Sequence, residues 1–512
     1  MLHNVSRSLS DLLGKDYMDA VKNAAIEVLG IDSAIAEELA ETKVDFFPPE
    51  FGERCDKLAA RVGEQVIPPL SVKLEGAPTE SFRRATNVNA APVGGIGCVR
   101  VGQDGRSYIA AKSEHYHIPL GHSFPGYQLI TKARQLGIPN ATHNNTRGYI
   151  TRLMERQIIM DINGIDKPDE RLQEILNSKE AKVLNRLINL ETGSLAVEAA
   201  IKMILTRFYR LDKTFDAPKY HGKIPVFLVV EDNKEGLEAN YHGTTVLAQT
   251  LRGMWPELCT RFEEAGIYHV VSVKKNDTAD FEAKIKRYNE GDYKTAGFLH
   301  EIILMNYGGI RLKPEYLQKA YELCEEYDTP TVADEIQSCM WYEGMFLFKQ
   351  YKLKPDFVII GKGFPGGEYP ASKVITSYEM DSLNQFGALV TNGQEELASL
   401  AYLITMEFVR ENGSEVAKAG QKVDEALAGL VAEFPDHITC VEGQGHLAAI
   451  HFSGVEEAAK FARAVNGMCI DVSAQLYKAD CPPAVLLKLP LIADDIVLQI
   501  LIEKFSMALK NI

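Results

Sequence analysis

Two ionisable side chains stand at the ends of short apolar runs, where they are placed to do chemistry together. Asp334 closes the run TVAD, and Lys362 follows the run FVIIG. Runs of this kind are typical of buried strands in an α/β sheet, whose ligands bind beyond the carboxyl ends of the strands. The carboxylate and the amine are therefore predicted to face one crevice. A lysine desolvated there has a lowered pKa and can attack a carbonyl, which predicts Schiff-base chemistry.

The glycines on either side of Lys362 strengthen this interpretation. Gly361 and Gly363 permit a sharp bend or the close approach of a planar group. Each motif also has an ordinary explanation when it is taken alone. An Asp-Glu pair after a strand is often a helix cap, and a Gly-Lys-Gly sequence is often a surface turn. The order and spacing of further motifs must decide between these alternatives.

A phosphate-binding element is predicted upstream. The loop NLETGS ends at Gly193 and Ser194, and apolar residues then recur at helical spacing over residues 195–208. The free N–H groups and the dipole of a helix N-terminus favour a phosphate, although an ordinary helix cap has the same pattern.

Between these elements lie an aromatic and an acidic candidate. Residues 226–230 are predicted to form a strand, and Tyr241 and His242 follow it in the sequence YHG, where the aromatic side chain can lie flat on a ring. Glu301 precedes the apolar residues 302–304, and it is either a strand-end charge or an acid of the site.

Taken in order, these motifs resemble the class III aminotransferases, pyridoxal-phosphate enzymes of fold type I. The resemblance extends from about Ala91 to the C-terminus and includes a predicted glycine-turned hairpin at Asp104 to Tyr108. Six segments carry its core: TGSLAVEAA from Thr192, YHG from Tyr241, DEIQ from Asp334, Pro355 with Asp356, GKG from Gly361, and Thr391. Two more lie outside it, LGHSFP from Leu120 and GQGHL from Gly443.

The resemblance implies roles for the catalytic candidates. Lys362 would hold pyridoxal phosphate as a Schiff base and would shuttle the proton once a substrate amine displaces it. Asp334 would pair with the pyridine nitrogen and keep it protonated, so that the ring accepts electrons. Glu301 is the third catalytic candidate.

The remaining candidates are implied to bind the cofactor. Gln337 would bond the phenolic oxygen, Tyr241 would stack on the ring with His242 beside it, and Gly193 with Ser194 would hold the phosphate. Thr391 resembles the threonine that reaches the phosphate from the other subunit. That resemblance implies a homodimer with active sites at its interface.

Departures from the family pattern concern the substrate. The run from Ser338 to Glu343 reads SCMWYE where the family usually has a glycine-rich run with an arginine, and Ile302 and Glu396 stand where prolines are usual. Lys488 stands where an arginine that grips a substrate carboxylate is common. Because lysine lacks the bidentate guanidinium fork, carboxylate recognition there is expected to be looser or absent. The amino donor and acceptor stay open.

Composition limits the possible partners and compartment. The chain has 512 residues, 46% of them hydrophobic and 24% charged, with a net charge of -15. That charge argues against binding to nucleic acid or an anionic membrane. The eight cysteines contain no Cys-x-x-Cys pair, which favours reduced thiols in a cytoplasm. No secretion signal and no apolar run of roughly 20 residues is present, so membrane insertion is not expected.

The predicted fold is α/β, with a large domain built on a mostly parallel mixed sheet flanked by helices and a small α+β domain from the N- and C-terminal segments. We predict a helical extension at 1–80, the N-terminal part of the small domain at 81–147, the large cofactor domain at 148–395 and the C-terminal small domain at 396–512.

Two polar segments are not explained by these motifs. Glu114, His115 and His117 suggest either a metal site, for which local spacing sets no third ligand, or a substrate channel. Residues 142–147 suggest a channel or a solvated loop.

The sequence thus predicts an aminotransferase that moves an amino group between an amine or amino acid and a keto acid. A racemase, decarboxylase or other lyase on the same cofactor is the first alternative. A nucleotide hydrolase is a remote alternative, because its Gly-x-x-x-x-Gly-Lys-[Ser/Thr] loop is absent from the sequence. A non-catalytic binding protein on the same fold is the last alternative.

Overall fold

The largest sheet of the protein has seven strands and holds both ends of the predicted crevice. The computed structural model describes residues 2–72, 74–85, 87–112, 118–142, 146–166, 168–385, 387–391, 393–475 and 481–512. Its strands are β1 Ser6–Arg7, β2 Val44–Asp45, β3 Pro92–Ile96, β4 Val99–Gly102, β5 Ser107–Ala110, β6 Arg186–Leu190, β7 Ile224–Val230, β8 His269–Val273, β9 Tyr293–His300, β10 Ile303–Leu304, β11 Ile310–Arg311, β12 Thr331–Asp334, β13 Phe357–Ile360, β14 Ser372–Thr376, β15 Ile438–Gln444, β16 Leu447–Phe452, β17 Ile470–Asp471, β18 Ser473–Ala474 and β19 Ala484–Leu487.

Helices connect these strands and cover the large sheet. The α-helices are Leu9–Leu13, Lys15–Leu29, Ser33–Glu41, Pro49–Ala59, Glu80–Ala85, Gln128–Gln135, Tyr149–Ile162, Glu170–Asn177, Gly193–Leu205, Val246–Thr250, Pro256–Glu264, Thr278–Arg287, Pro314–Glu326, Leu347–Gln350, Glu396–Glu411, Gly413–Glu433, Val455–Gly467 and Asp495–Leu509. Short 3-10 helices occupy Val88–Ala90 and Pro125–Tyr127. Among the described residues, no helix has the length and apolar character needed to cross a membrane.

The large sheet is mixed but mostly parallel, as the sequence predicts. Its order is β6-β14-β13-β12-β9-β7-β8. The pairs from β13 to β8 are parallel, and only β14 runs against its neighbours. Strands such as β7 and β13 are apolar and buried along almost their whole length because both faces of a parallel sheet are covered.

The two predicted strand ends lie side by side. Asp334 at the end of β12 is opposite Ile359 of β13, and Lys362 follows β13 after one glycine. The helix predicted at 195–208 spans Gly193–Leu205. It begins earlier because Thr192 has extended backbone angles and acts as the N-cap, and it ends earlier because the Thr206 hydroxyl donates to the carbonyl of Met203.

Among the described residues, two four-stranded sheets lie outside the large one, together with the short pairs β1-β2 and β10-β11. The sheet β17-β5-β4-β3 joins N-terminal strands to β17 near the C-terminus, and the buried Arg100 forms an ion pair with Asp471 across it. The predicted hairpin is confirmed: β4 and β5 are antiparallel, and Gly105 in the turn has a φ of 78°. The second small sheet has the order β15-β16-β19-β18. The division of the chain at residues 80, 147 and 395 stays a prediction.

The N-terminal segment packs on the helix Glu396–Glu411. Nε of Arg7 lies 2.7 Å from a carboxylate oxygen of Glu407, and the backbone N–H of His3 donates to Asn412 at 2.6 Å. Tyr17 stacks on Tyr149 with ring centroids 4.3 Å apart. These contacts attach the segment to the body of the protein.

Candidate active site

A cavity of about 460 Å³ lies at the carboxyl ends of the strands of the large sheet. Most of the residues predicted from the sequence line it: Gly193, Ser194, Tyr241, His242, Glu301, Asp334, Gln337 and Lys362. Thr391 does not line this cavity, and its side chain is exposed. The structure therefore brings the predicted residues of one chain together and leaves Thr391 apart from them.

Asp334 is held by two donors at the end of β12. Its Oδ2 lies 2.8 Å from Nδ1 of His242, and its Oδ1 accepts a hydrogen bond from the backbone N–H of Ile336 at 3.1 Å. Both side chains are almost fully buried. An ionised carboxylate accepts only, so His242 carries its proton on Nδ1 in this pair. His300 is also buried, and burial, with a smaller contribution from His242, lowers its pKa to about 3, which keeps it neutral.

Lys362 occupies a bend with unusual backbone geometry. Its φ is 48°, in the left-handed region that residues with a Cβ rarely adopt. The next residue must be glycine, because a Cβ on Gly363 would lie 2.8 Å from the ring of Trp341. The bend directs Lys362 to the cavity that Asp334 also lines. Strain of this kind is common at functional sites.

The N-terminus of the helix Gly193–Leu205 opens on the same cavity. Thr192 makes no side-chain hydrogen bond to the first turn, and Gly193 and Ser194 at the start of that turn line the cavity. A Cβ on Gly193 would collide with Cδ1 of Ile336. The Ser194 hydroxyl accepts a hydrogen bond from the backbone N–H of Thr244 at 3.0 Å, which fixes it at the cavity wall.

An aromatic ring and an acid complete the wall. Tyr241 is half-buried, and the guanidinium of Arg252 lies 5.2 Å from its ring centroid. Glu301 directly follows β9 and is 3% exposed, so its carboxylate is a buried group of the cavity rather than a solvated strand end.

The position of Lys488 differs from what the family pattern suggests for an arginine. The side chain is fully buried and does not line the cavity. Its amine donates to the carbonyl oxygen of Gln337 at 2.7 Å and to Oε1 of Gln337 at 3.2 Å. Lys488 therefore binds a residue of its own chain, and the looser or absent carboxylate recognition expected at this position stays a prediction.

Several lining residues are not predicted from the sequence. Glu191, Asn306, Glu368 and Tyr369 also face the cavity. A usable signal exists only for Glu368 and Tyr369, which follow the glycine pair that ends the turn after Lys362. The role of His242 as the partner of Asp334 has no local signal, because the two residues are far apart in the sequence.

The two leftover polar segments lie mostly outside the described residues. Residues 113–117, which include Glu114, His115 and His117, are not described, and neither are residues 143–145. Next to the second gap, the Thr142 hydroxyl donates to the carbonyl of Gln394 at 2.5 Å, and Arg147 pairs with Glu155. The metal and channel interpretations stay predictions.

The arrangement matches known proteins over most of the chain. The family described as Aminotransferase class-III matches residues 82–509. This chain belongs to the class III aminotransferase family. It is a pyridoxal-phosphate-dependent aminotransferase, and the resemblance inferred from the motifs is confirmed.

Solved structures show the same fold at low sequence identity. The ornithine aminotransferase from Toxoplasma gondii is 18% identical with a TM-score of 0.64, and the match covers 86% of this chain and 96% of that one. The adenosylmethionine-8-amino-7-oxononanoate aminotransferase from Methanocaldococcus jannaschii is 20% identical with a TM-score of 0.65, over 86% and 97%. A PMP-bound aminotransferase from Vibrio fluvialis is 17% identical with a TM-score of 0.66, over 86% and 96%. This class III aminotransferase therefore has the type I fold.

Proposed function

We propose that this aminotransferase performs transamination with Lys362 and Asp334 at opposite ends of one cofactor ring. One observation carries the proposal: the amine, the carboxylate and an uncapped helix N-terminus surround the same cavity of about 460 Å³. Glu301 is proposed as a further acid of the site because it is buried in that cavity wall.

The residues present fit pyridoxal phosphate. The first turn of the helix at Gly193 offers N–H groups and a positive dipole end to a phosphate. The absence of a Cβ at Gly193 lets the side chain of Ile336 pack against this turn. The carboxylate of Asp334 suits a protonated pyridine nitrogen. Tyr241 and Gln337 line the same cavity, which supports stacking of Tyr241 on the ring and a bond from Gln337 to the phenolic oxygen.

When bound, pyridoxal phosphate supplies an electron-accepting ring that stabilises the charge left when a bond to the substrate α-carbon breaks. Lys362 provides the covalent attachment and, after a substrate amine has released it, moves the proton at the substrate carbon. The buried Asp334 holds a negative charge where a ring proton must be retained. His242 holds that carboxylate in place through Nδ1.

The charges of the cavity favour an amine donor over a donor that must be bound through its own carboxylate. Lys362 is the only lysine or arginine among the described residues that line the cavity, whereas Glu191, Glu301 and Glu368 are acidic. Because Lys488 is bonded to Gln337, it is not placed to bind a substrate carboxylate. We therefore propose amines or diamines as better donors than α-amino acids, with a keto acid as acceptor.

We also propose a cytoplasmic homodimer in which Thr391 serves the site of the other subunit. The exposure of Thr391, away from the cavity of its own chain, supports this assignment. All eight cysteines are free thiols, which supports a reducing compartment.

Difference spectra on adding a panel of amines test the proposal. Purified protein should absorb visible light, a suitable amine should bleach that band, and pyruvate or 2-oxoglutarate should restore it. A diamine should bleach the band at lower concentration than an α-amino acid. Release of CO2 alone, or inverted stereochemistry of an amino acid, would instead identify a decarboxylase or a racemase.

A further inference from the structure

Lys488, close to the C-terminus, and Gln337, which follows β12, form a buried contact. Lys488 directly follows β19, and its backbone N–H donates to the carbonyl of Ala111 at 2.8 Å. Its amine donates to both the backbone carbonyl and Oε1 of Gln337, and it lies 3.9 Å from the ring centroid of Trp341. This is a cation–π distance, so the ammonium is held on several sides.

These contacts determine which end of the Gln337 amide faces Lys488. An ammonium group has hydrogen-bond donors and no acceptor. Gln337 must therefore present Oε1 to Lys488, which leaves Nε2 with its two donors for the cavity that Gln337 lines. Among the described residues, none accepts a hydrogen bond from Nε2. A donor held at the wall of the cavity in this way calls for an acceptor on the ligand.

We propose that Lys488 is a positioning residue that orients Gln337 so that an N–H donor, rather than a carbonyl, meets the phenolic oxygen of the cofactor ring. The inference rests on the proposed function of the site. It gives a role to a lysine that stands where a substrate-binding arginine is common. The reverse orientation would place Oε1 against a negatively charged oxygen and repel it.

The ionisable groups packed near Lys488 are neutral near pH 7, so Lys488 is the cation in contact with Gln337. His446 is buried nearby, and its pKa is lowered to about 4, mainly by burial and in part by Lys488. Cys339 is buried as well, and burial raises the pKa of its thiol to about 12. Both groups are therefore neutral near pH 7. Asp334 is a carboxylate that lines the same cavity as Gln337.

The absorbance of the bound cofactor as a function of pH tests the inference without turnover. A donor to the phenolic oxygen stabilises its ionised form, so Lys488→Met should raise the midpoint of this titration by about one pH unit. Lys488→Gln keeps an N–H donor for Oε1 and should restore most of the wild-type midpoint. A role in packing alone would move both variants equally.

A double-mutant cycle identifies the route of the effect. Gln337→Leu should shift the midpoint as Lys488→Met does, and the double variant should show no further shift. Trp341→Phe keeps an aromatic face for Lys488 and both bonds to Gln337, so it should leave the midpoint unchanged. Additive shifts, or an unchanged midpoint in both Lys488→Met and Gln337→Leu, would overturn the inference. Wild-type protein that binds no cofactor would overturn the proposed function instead.

Discussion

Nδ1 of His242 lies 2.8 Å from Oδ2 of Asp334, and both side chains are buried at the wall of the cavity. The pair joins the loop after β7 to the end of β12. A buried carboxylate held by an imidazole and a backbone N–H is a fixed negative charge, and fixed charges are effective in catalysis because they need no reorganisation.

Asp334→Ala should retain the cofactor on Lys362 but lower kcat by about a hundredfold or more, because the ring loses the charge that keeps its nitrogen protonated. Steady-state kinetics and the absorption spectrum measure the two effects separately. Asp356→Asn is a matched control. Asp356 is also buried, but it caps Thr331 at the opposite end of β12, so this variant should lose stability with little change in kcat. A wild-type rate in Asp334→Ala would contradict the assigned role.

Lys362→Ala should abolish the visible absorption of the attached cofactor and lower turnover by about a thousandfold, because the chain loses both its point of attachment and its proton carrier. Absorption spectra and single-turnover rates provide the measurement. The exposed Lys354 precedes β13, the strand that Lys362 follows, and Lys354→Ala should behave as wild type. If the Lys362 variant stays yellow and active, the central assignment is wrong.

Mixing two impaired variants tests the proposed dimer. If Thr391 serves the partner's site, Thr391→Ala should weaken phosphate binding there. Unfolding and refolding Thr391→Ala together with Lys362→Ala should then place both changes in one site of a mixed dimer and leave the other site intact. Random pairing would restore about a quarter of the wild-type sites. Titration of bound cofactor measures this fraction, and no recovery in correctly refolded mixtures would count against shared sites.

The raised pKa of Glu335 should cause one part of the pH dependence of stability. It accepts hydrogen bonds from the Ser338 hydroxyl and from the N–H groups of Leu347 and Phe348, but burial outweighs them and raises its pKa from 4.5 to about 7. Between these values the folded chain binds the extra proton. Its contribution to the free energy of unfolding therefore falls as the pH rises through this window, at about 1.4 kcal/mol per unit. Glu335→Gln should flatten that slope in denaturant titrations, whereas the exposed Glu343→Gln should not.

The lowered pKa of Lys373 should make the free energy of unfolding change with pH in the opposite direction at higher pH. Its side chain is 3% exposed and lies 4.6 Å from the ring centroid of Tyr402, and burial lowers its pKa from 10.5 to about 7 despite Glu155 and Glu395. Between pH 7 and pH 10.5 the unfolded chain binds the extra proton, so the free energy of unfolding rises with pH.

Below pH 7 both states of the chain bind this proton, and the full cost of burying the charge is present. Lys373→Met should therefore stabilise the protein below pH 7 by about 1–4 kcal/mol and remove the slope above it. Urea titrations at pH 6 and pH 9 give both values, with Lys354→Met as the exposed control. A destabilised Lys373→Met at pH 6 would show that the electrostatic attraction of Glu155 and Glu395 outweighs burial.

Local pattern was sufficient to predict the strands and the chemistry at their ends. The apolar runs before Asp334 and Lys362 form β12 and β13, and the strand predicted at residues 226–230 lies within β7. These predictions succeed because burial of both sheet faces requires continuous apolar runs, which are visible without knowledge of the rest of the fold. The ends of such strands then locate the carboxylate and the amine.

Pairings between distant segments were decided only by the tertiary structure. His242 meets Asp334 because β7 and β12 each pair with β9, and Lys488 meets Gln337 because the strand that ends at Leu487 brings the C-terminal region to the end of β12. Neither contact can be predicted from the spacing of residues in a short stretch of sequence, because its two partners lie far apart in the chain. The sequence by itself determined which cofactor chemistry the chain carries. The sheet order determined how Asp334 and Gln337 are oriented toward it, since hydrogen-bond geometry depends on neighbours that only long-range packing supplies.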